Sequence, residues 1–169
     1  MHQPTLLALA ATLLCCSIQA RAQAAPAAAD DTAPVTLEAD RISGRPDLQT
    51  VAEGRVELKR GGLTIRTDRL SYDNRIERVH ALGNVQVLGA TGDRFGGPEL
   101  QLDLGRYEGF FLEPEYFFAR TGAGGRADRI DFIDAERARL TGATYTSCTI
   151  DGGGTPAWVL SSERVRLDF

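Results

Sequence analysis

Along most of this chain apolar side chains recur at every second position, and that period buries them as β-strands with one wet face. From Val35 onward, Val56/Leu58, Leu63/Ile65, Leu70/Tyr72, Val85/Val87, Leu100/Leu102/Leu104 and Val165/Leu167 alternate with polar or charged neighbours. Turn signals stand between them: Gly44-Arg45-Pro46-Asp47, Gly61-Gly62, Asp73-Asn74, Gly89 to Gly92, and Gly96-Gly97-Pro98. The 18 glycines and 7 prolines fit many turns and short strands. Only Asp134 to Leu140, DAERARL, is expected to be helical. The fold class expected is all-β.

The strands share a unit. Ala39-Asp40-Arg41-Ile42 is followed by Ala52-Glu53-Gly54-Arg55-Val56-Glu57-Leu58, and Thr67-Asp68-Arg69-Leu70 by Ala81-Leu82-Gly83-Asn84-Val85-Gln86-Val87. Asp40 and Asp68 are 28 residues apart, Gly54 and Gly83 are 29. Looser copies begin at Pro98-Glu99-Leu100, Ala127-Asp128-Arg129-Ile130 and Ser162-Glu163-Arg164-Val165. Two short strands cannot bury their own apolar face, so successive units must stack. The product is an elongated folded sheet with an apolar interior, open at its ends unless something caps it, and open edges pair with other chains unless blocked.

Ahead of the strands lies an export signal. Leu6 to Ile18 is thirteen residues without a charge, too short to span ~30 Å of hydrocarbon. It fits the apolar core of a secretory leader ending at Ala20-Arg21-Ala22, so residues 1–22 are expected to be removed, although its first residues hold no Lys or Arg. A lipid-attachment reading of Cys15 and Cys16 fails because Leu13 and Leu14 precede them where a small residue is needed. Residues 23–34, rich in alanine, form a flexible lead-in, and residues 35–169 the folded domain. The formal net charge of −4 argues against a nucleic-acid partner, which would need a basic surface. After cleavage Cys148 is the only cysteine. In an oxidising compartment it is either a buried spectator or paired with a cysteine outside this sequence.

Catalytic patterns are weak. Gly122-Ala123-Gly124-Gly125-Arg126-Ala127 matches the dinucleotide fingerprint letter for letter, but Asp128-Arg129-Ile130-Asp131-Phe132 alternates like a strand where a helix must open. His80 lacks a nucleophile or ligand cluster beside it in sequence, so no metal or cofactor is expected. Asp131, Asp134 and Glu136 are close enough in sequence to raise a β-sandwich hydrolase, whose two carboxylates would have to converge in a polar cleft. A solvated acidic edge is the plainer meaning, and no enzyme is expected.

The unit A-D-R-[IL] … A-x-G-x-V-x-[LV] resembles the repeat of the OstA/LptA-like domain, the periplasmic β-jellyroll of lipopolysaccharide (LPS) transport. The stretch from Gly109 to Ala127, with Tyr145-Thr146-Ser147-Cys148 and Pro156-Ala157-Trp158, is similar to the N-terminal region of the LptD family of LPS-assembly outer-membrane proteins. The resemblance covers Val35 to Phe169. It implies a jellyroll that takes LPS from a bridge of LptA-like domains by edge-strand pairing and hands the acyl chains to an outer-membrane β-barrel plugged by the lipoprotein LptE. That barrel is absent from this sequence, which points to a fragment or truncated product. The resemblance further implies that Cys148 pairs with a cysteine of the barrel. The free-standing LptA-like bridge is the alternative, against which the Cys148 and Trp158 motif speaks.

The apolar stripe is first of all a core: Val56, Leu58, Ile65, Leu70, Tyr72, Val85, Val87, Phe95, Leu100, Leu102, Leu104, Phe110 and Phe118. Under the resemblance the same residues face a trough for acyl chains, each buried CH₂ adding ~0.8 kcal/mol. Arg41, Arg55, Arg66, Arg69 and Arg75 would then meet lipid phosphates at its rim, or simply form the wet face of the strands.

Overall fold

A computed structural model describes residues 33–45, 47–148 and 156–168. The expected leader (1–22) with Cys15 and Cys16, and the lead-in as far as residue 32, lie outside them. All twelve elements are strands: β1 (Thr36–Glu38), β2 (Arg41–Arg45), β3 (Gln49–Arg60), β4 (Leu63–Asp73), β5 (Arg78–Leu88), β6 (Arg94–Asp103), β7 (Glu108–Leu112), β8 (Glu115–Phe118), β9 (Ala123–Arg126), β10 (Arg129–Phe132), β11 (Arg137–Tyr145) and β12 (Leu160–Asp168). They form one antiparallel sheet in the order β1-β3-β4-β5-β6-β7-β10-β11-β12, with β2 beside β3, β8 beside β6 and β9 beside β8. The sheet does not close on itself.

One contact shows how it is folded. β4 is 11 residues long, about 33 Å from end to end at ~3.3 Å per residue if straight. Arg60 lies at one end of the β3–β4 ladder, Glu77 just past the other, yet their side chains meet at 3.1 Å. No pair of side chains spans that length, so β3 and β4 must double over midway. The fold line is visible in the registers, which slip between Glu53 and Val56, between Arg66 and Arg69, and between Leu82 and Val85. Further along the sheet β7 stops and β8 starts at Glu113-Pro114, and β9 gives way to β10 at Ala127-Asp128.

The repeated unit supplies the corner. Gly54, Gly83 and Gly142 take the left-handed region, with φ of +78°, +79° and +61°. Each lies under an aspartate of the unit: a Cβ on Gly54 would come within 2.6 Å of Asp40 Oδ2, on Gly83 within 2.7 Å of Asp68, and on Gly142 within 2.0 Å of Asp128. Only glycine satisfies both demands. In the first two corners the residue after the glycine answers the carboxylate. Arg55 forks onto Asp40, and Asn84 Nδ2 donates to Asp68 at 2.7 Å. The Arg55 guanidinium holds the Asp40 carboxyl below its usual range. Buried Thr67 completes the second corner, its hydroxyl lying 2.8 Å from the Leu82 and Gly83 carbonyls.

Three expectations need correction. Gly96-Gly97-Pro98 is not a turn: it lies inside β6 at the fold line, where a Cβ on Gly97 would stand 2.8 Å from the Leu112 carbonyl oxygen. The strands are accordingly longer than the glycine count suggests, up to 12 residues in β3, because several glycines bend strands instead of ending them. DAERARL is not a helix. Asp134 accepts from the Glu136 amide at 3.0 Å and pairs with Arg137, closing a tight turn. β11 starts at once, with Ala138, Leu140 and Ala143 buried. Tertiary burial of those three residues overrides the helical propensity of Ala, Glu and Arg. The fingerprint-like Gly124-Gly125 lies in β9, with no helix following.

Asp103 fastens the turn after β6, accepting from the amides of Gly105 (3.1 Å) and Arg106 (3.0 Å) and from the Arg106 guanidinium (2.9 Å). Burial pushes its carboxyl up, and the Arg106 guanidinium and the two amides outweigh that, leaving it below its ordinary value. The carboxylate therefore adds stability above the ordinary aspartate range near pH ~4 and loses it as pH falls through its lowered value. In urea titrations Asp103→Asn is expected to be less stable than the parent at pH 7, with the gap shrinking toward pH 3. Gly83→Ala, which meets both strain and Asp68, should lose roughly 2–4 kcal/mol. Gly122→Ala, whose added Cβ has nothing within 4 Å, should lose only about 1 kcal/mol. Equal losses would show that the corner is not set by the Asp–Gly contact.

Candidate functional site: an apolar trough between two walls

Folding the sheet brings two walls of side chains face to face. Toward the N-terminal strands the space is filled: Val56, Leu58, Ile65, Leu70, Val79 and Val85 are at most 1% exposed. Arg60 and Glu77 clasp the tips of the two walls at that end. Toward the C-terminal strands the walls stand apart and leave a cavity of about 720 Å³, within the range of pockets that take small apolar ligands.

One wall is built by Val87, Phe95, Tyr116, Phe118 and Leu160, the other by Leu100, Leu102, Phe111, Leu140, Val165 and Leu167. Phe95 spans the gap edge-on to Phe132 with ring centroids 6.3 Å apart, and meets Phe118 at 6.1 Å. Tyr116 puts its hydroxyl to work by donating to the Thr144 carbonyl at 2.6 Å, and burial pushes its phenol up. The rim is polar, with Asp93, Arg120 and Thr121 on one side and Asp134 and Asp168 on the other. Such a trough can solvate hydrocarbon; it offers an apolar chain a dry surface without a polar partner to match.

The structure sorts the thirteen candidate trough residues into three groups. Val87, Phe95, Leu100, Leu102 and Phe118 line the cavity. Val56, Leu58, Ile65, Leu70, Tyr72, Val85 and Leu104 belong to the packed interior away from it. Phe110 faces outward. It stands in register with Gln101 and Asp131, and the Arg129 guanidinium lies over its ring at 4.4 Å. Its neighbour Phe111 is the buried one. Two adjacent phenylalanines offer no alternation to choose between; only the ladder to β6 decides. Tyr116, Phe132, Leu140 and Leu160 also line the cavity and were not among the candidates, although the alternation in β11 and β12 points to Leu140 and Leu160.

Of the two readings of the five arginines the wet face holds: none lines the trough, and each stands beside an acid. Arg41 and Arg69 flank Glu53, Arg66 pairs with Glu57 at 2.6 Å, Arg55 with Asp40, and Arg75 with Asp73 at 3.7 Å. His80 is 2.8 Å from Glu99, also on that face. Asp131 is taken up by Arg129 and Asp134 by Arg137, so the two do not form a converging carboxylate pair. Among the described residues no cluster of His, Cys, Asp or Glu could hold a metal ion, and no helix is long and apolar enough to cross a membrane.

Cys148 is a free, part-exposed thiol three residues past Tyr145, which lines the trough. The Thr146 hydroxyl and the Trp158 backbone lower its pKa, and its amide donates to Thr146 Oγ1 at 3.1 Å. Trp158 and Tyr145, both exposed, stack with centroids 6.0 Å apart.

No family model matches the chain. Among curated proteins it is 42% identical over 155 residues to the LPS-assembly protein LptD of Polaromonas sp., covering 90% of this chain and 19% of that protein. It is 45% identical over 137 residues to LptD of Albidiferax ferrireducens, covering 80% and 17%. The chain thus spans less than a fifth of the length of these relatives. Among solved structures it superposes with a TM-score of 0.56 on LptH of Pseudomonas aeruginosa, described as the LptA-homologous periplasmic component of the conserved lipopolysaccharide transport device. That match covers 80% of this chain and 98% of LptH at 11% identity, and shows the shared jellyroll fold.

Tyr116→Phe tests how rigidly the trough wall is held. It leaves the Thr144 carbonyl without this donor and is expected to cost about 0.5–1.5 kcal/mol in chemical denaturation. Loss of the near-ultraviolet Tyr signal alone, with unchanged stability, would count against the hydrogen bond as a wall support.

Proposed function

We propose, from the premise that this chain is homologous to the LptD proteins along 80–90% of its length, that it is a periplasmic jellyroll that carries lipopolysaccharide toward the outer membrane. The observation that carries this reading is the apolar trough of about 720 Å³ on a fold shared with LptH. Acyl chains enter between the two walls, each buried CH₂ contributing ~0.8 kcal/mol. The work asked of the protein is binding and release, so no catalytic residue, metal or cofactor takes part.

The chain's partners follow from its edges. β2 pairs only with β3, and β12 only with β11, among the described residues. Each leaves a row of backbone groups that a neighbouring strand can complete. An LptA-like bridge pairs at one edge, and the outer-membrane barrel with its LptE-like plug receives the lipid at the other. Cys148 forms a disulfide with a cysteine of that barrel, its lowered pKa favouring the thiolate that exchange requires. The location is the periplasmic face of the outer membrane. A second reading, the free-standing LptA-like bridge, draws on the coverage of 98% of LptH by this jellyroll; the LptD names of the closely similar sequences favour the first.

Site-specific photo-crosslinking in the periplasm tests the trough. Probes at Leu102 and Phe95 are expected to give LPS adducts, and probes at Gln101 and Phe110 none. Phe110 is the sharper control, because it is as apolar as the inward residues and differs only in the face it occupies. Adducts at all four positions, or at none while the protein is folded, would remove the transport mechanism.

A further inference from the structure

The outer face of the sheet is charge-matched over its first strands. Glu53 meets Arg41 at 3.4 Å and Arg69 at 3.2 Å, and Glu57 meets both Lys59 and Arg66. The last two strands break the pattern. There the outward residues include Arg139, Arg164 and Arg166, all exposed, and none has an acidic partner among the described residues. Register sets Arg139 directly across from Arg166, with Arg164 two residues further along opposite Thr141. Of the acids nearby, Asp131, across from Arg139 on its other side, is held by Arg129 at 2.6 Å, and Asp168, two residues past Arg166 on the same face, stands opposite Arg137. Glu163 precedes Arg164 at the fold line and forms no ion pair among the described residues.

Like charges directly across a ladder, with Cβ atoms ~4.5–5.5 Å apart, destabilise the strand pair. Arg41, Arg55, Arg66, Arg69 and Arg129 each stand beside an acid, whereas Arg139, Arg164 and Arg166 have none among the described residues and are brought together by the β11–β12 register. Guanidinium forks match phosphate oxygens in geometry and charge. The reverse side of the same strands is the trough wall, where Leu140, Val165 and Leu167 line the cavity. Hydrocarbon on one side of these strands and guanidinium on the other is the pattern an amphiphile with a phosphorylated head requires.

We propose that Arg139, Arg164 and Arg166 form a phosphate-binding face on the outer side of β11 and β12, which holds the phosphorylated head group of the lipid whose acyl chains occupy the trough. This rests on the lipid-transport reading above and adds to it the element that recognises the head. The test uses the full purified chain and two probes, bisphosphorylated hexa-acyl lipid A and the same lipid after enzymatic dephosphorylation. The variant carries Arg139→Gln, Arg164→Gln and Arg166→Gln; the control carries Arg41→Gln and Arg69→Gln on the charge-matched face. The triple variant is expected to bind the phosphorylated lipid roughly tenfold or more weakly, as loss of charge-assisted hydrogen bonds implies, while its affinity for the dephosphorylated lipid stays at the parent value. The control should bind both as the parent does. Equal losses on both lipids, no loss on either, or the same loss in the control would overturn the phosphate face, while lipid adducts at Leu102 would leave the transport reading standing. Failure of the parent to bind either lipid would overturn both. Arginine-dependent binding to phosphatidylglycerol vesicles, undiminished when Leu102→Trp fills the trough, would reassign the face to a bilayer surface and overturn the proposal.

Discussion

Everything distinctive in this fold depends on a carboxylate sitting over a glycine. A flat antiparallel sheet of ten-residue strands would expose one apolar face to water. Doubling each strand over buries that face against itself, which requires a bend at the same height in every strand. The A-D-R … A-x-G unit builds it: the aspartate needs the space a Cβ would take, and the glycine needs the left-handed region that the bend imposes. The residue after the glycine, Arg55 or Asn84, then neutralises or hydrogen-bonds the carboxylate, so the corner is satisfied in charge as well as in shape.

Because the corner recurs from strand to strand, the interior is a long space whose width is set by what fills it. Over the first strands aliphatic side chains and the Arg60–Glu77 clasp bring the walls together. Farther on, aromatic rings at Phe95, Phe118 and Phe132 prop them apart in edge-to-face contacts. One architecture thus yields a rigid half and a receptive half without any change of topology. A receptive half without converging acid–base groups is suited to holding hydrocarbon, and the homology to LptD proteins and the jellyroll shared with LptH agree with that use.

Much of this was legible from the residues. Alternation located most of the strands, and the 28- and 29-residue spacings exposed the unit that turns out to be the corner. What misled was local. Gly96-Gly97-Pro98 has the composition of a turn, but at the fold line a strand needs the same missing side chains. DAERARL has helical propensity, yet two of its residues, Ala138 and Leu140, and Ala143 after it are needed in the buried interior. Rim and wet face stayed open for five arginines because nothing in the sequence pairs Arg41 and Arg69 with Glu53, or Arg66 with Glu57; those contacts exist only across the ladder.

The sequence by itself determined the fold class, the repeat and the two-faced character of the strands, because a period of two and a recurrent Asp–Gly pair are properties of the chain alone. Which apolar residues are core and which are trough, that Phe111 and not Phe110 faces inward, and that Arg139 and Arg166 stand side by side were decided only by tertiary structure. The reason is physical. Alternation says that a side chain is on one face or the other, whereas register and the distance between the two walls say what it meets there, and both arise from contacts between residues far apart in the chain.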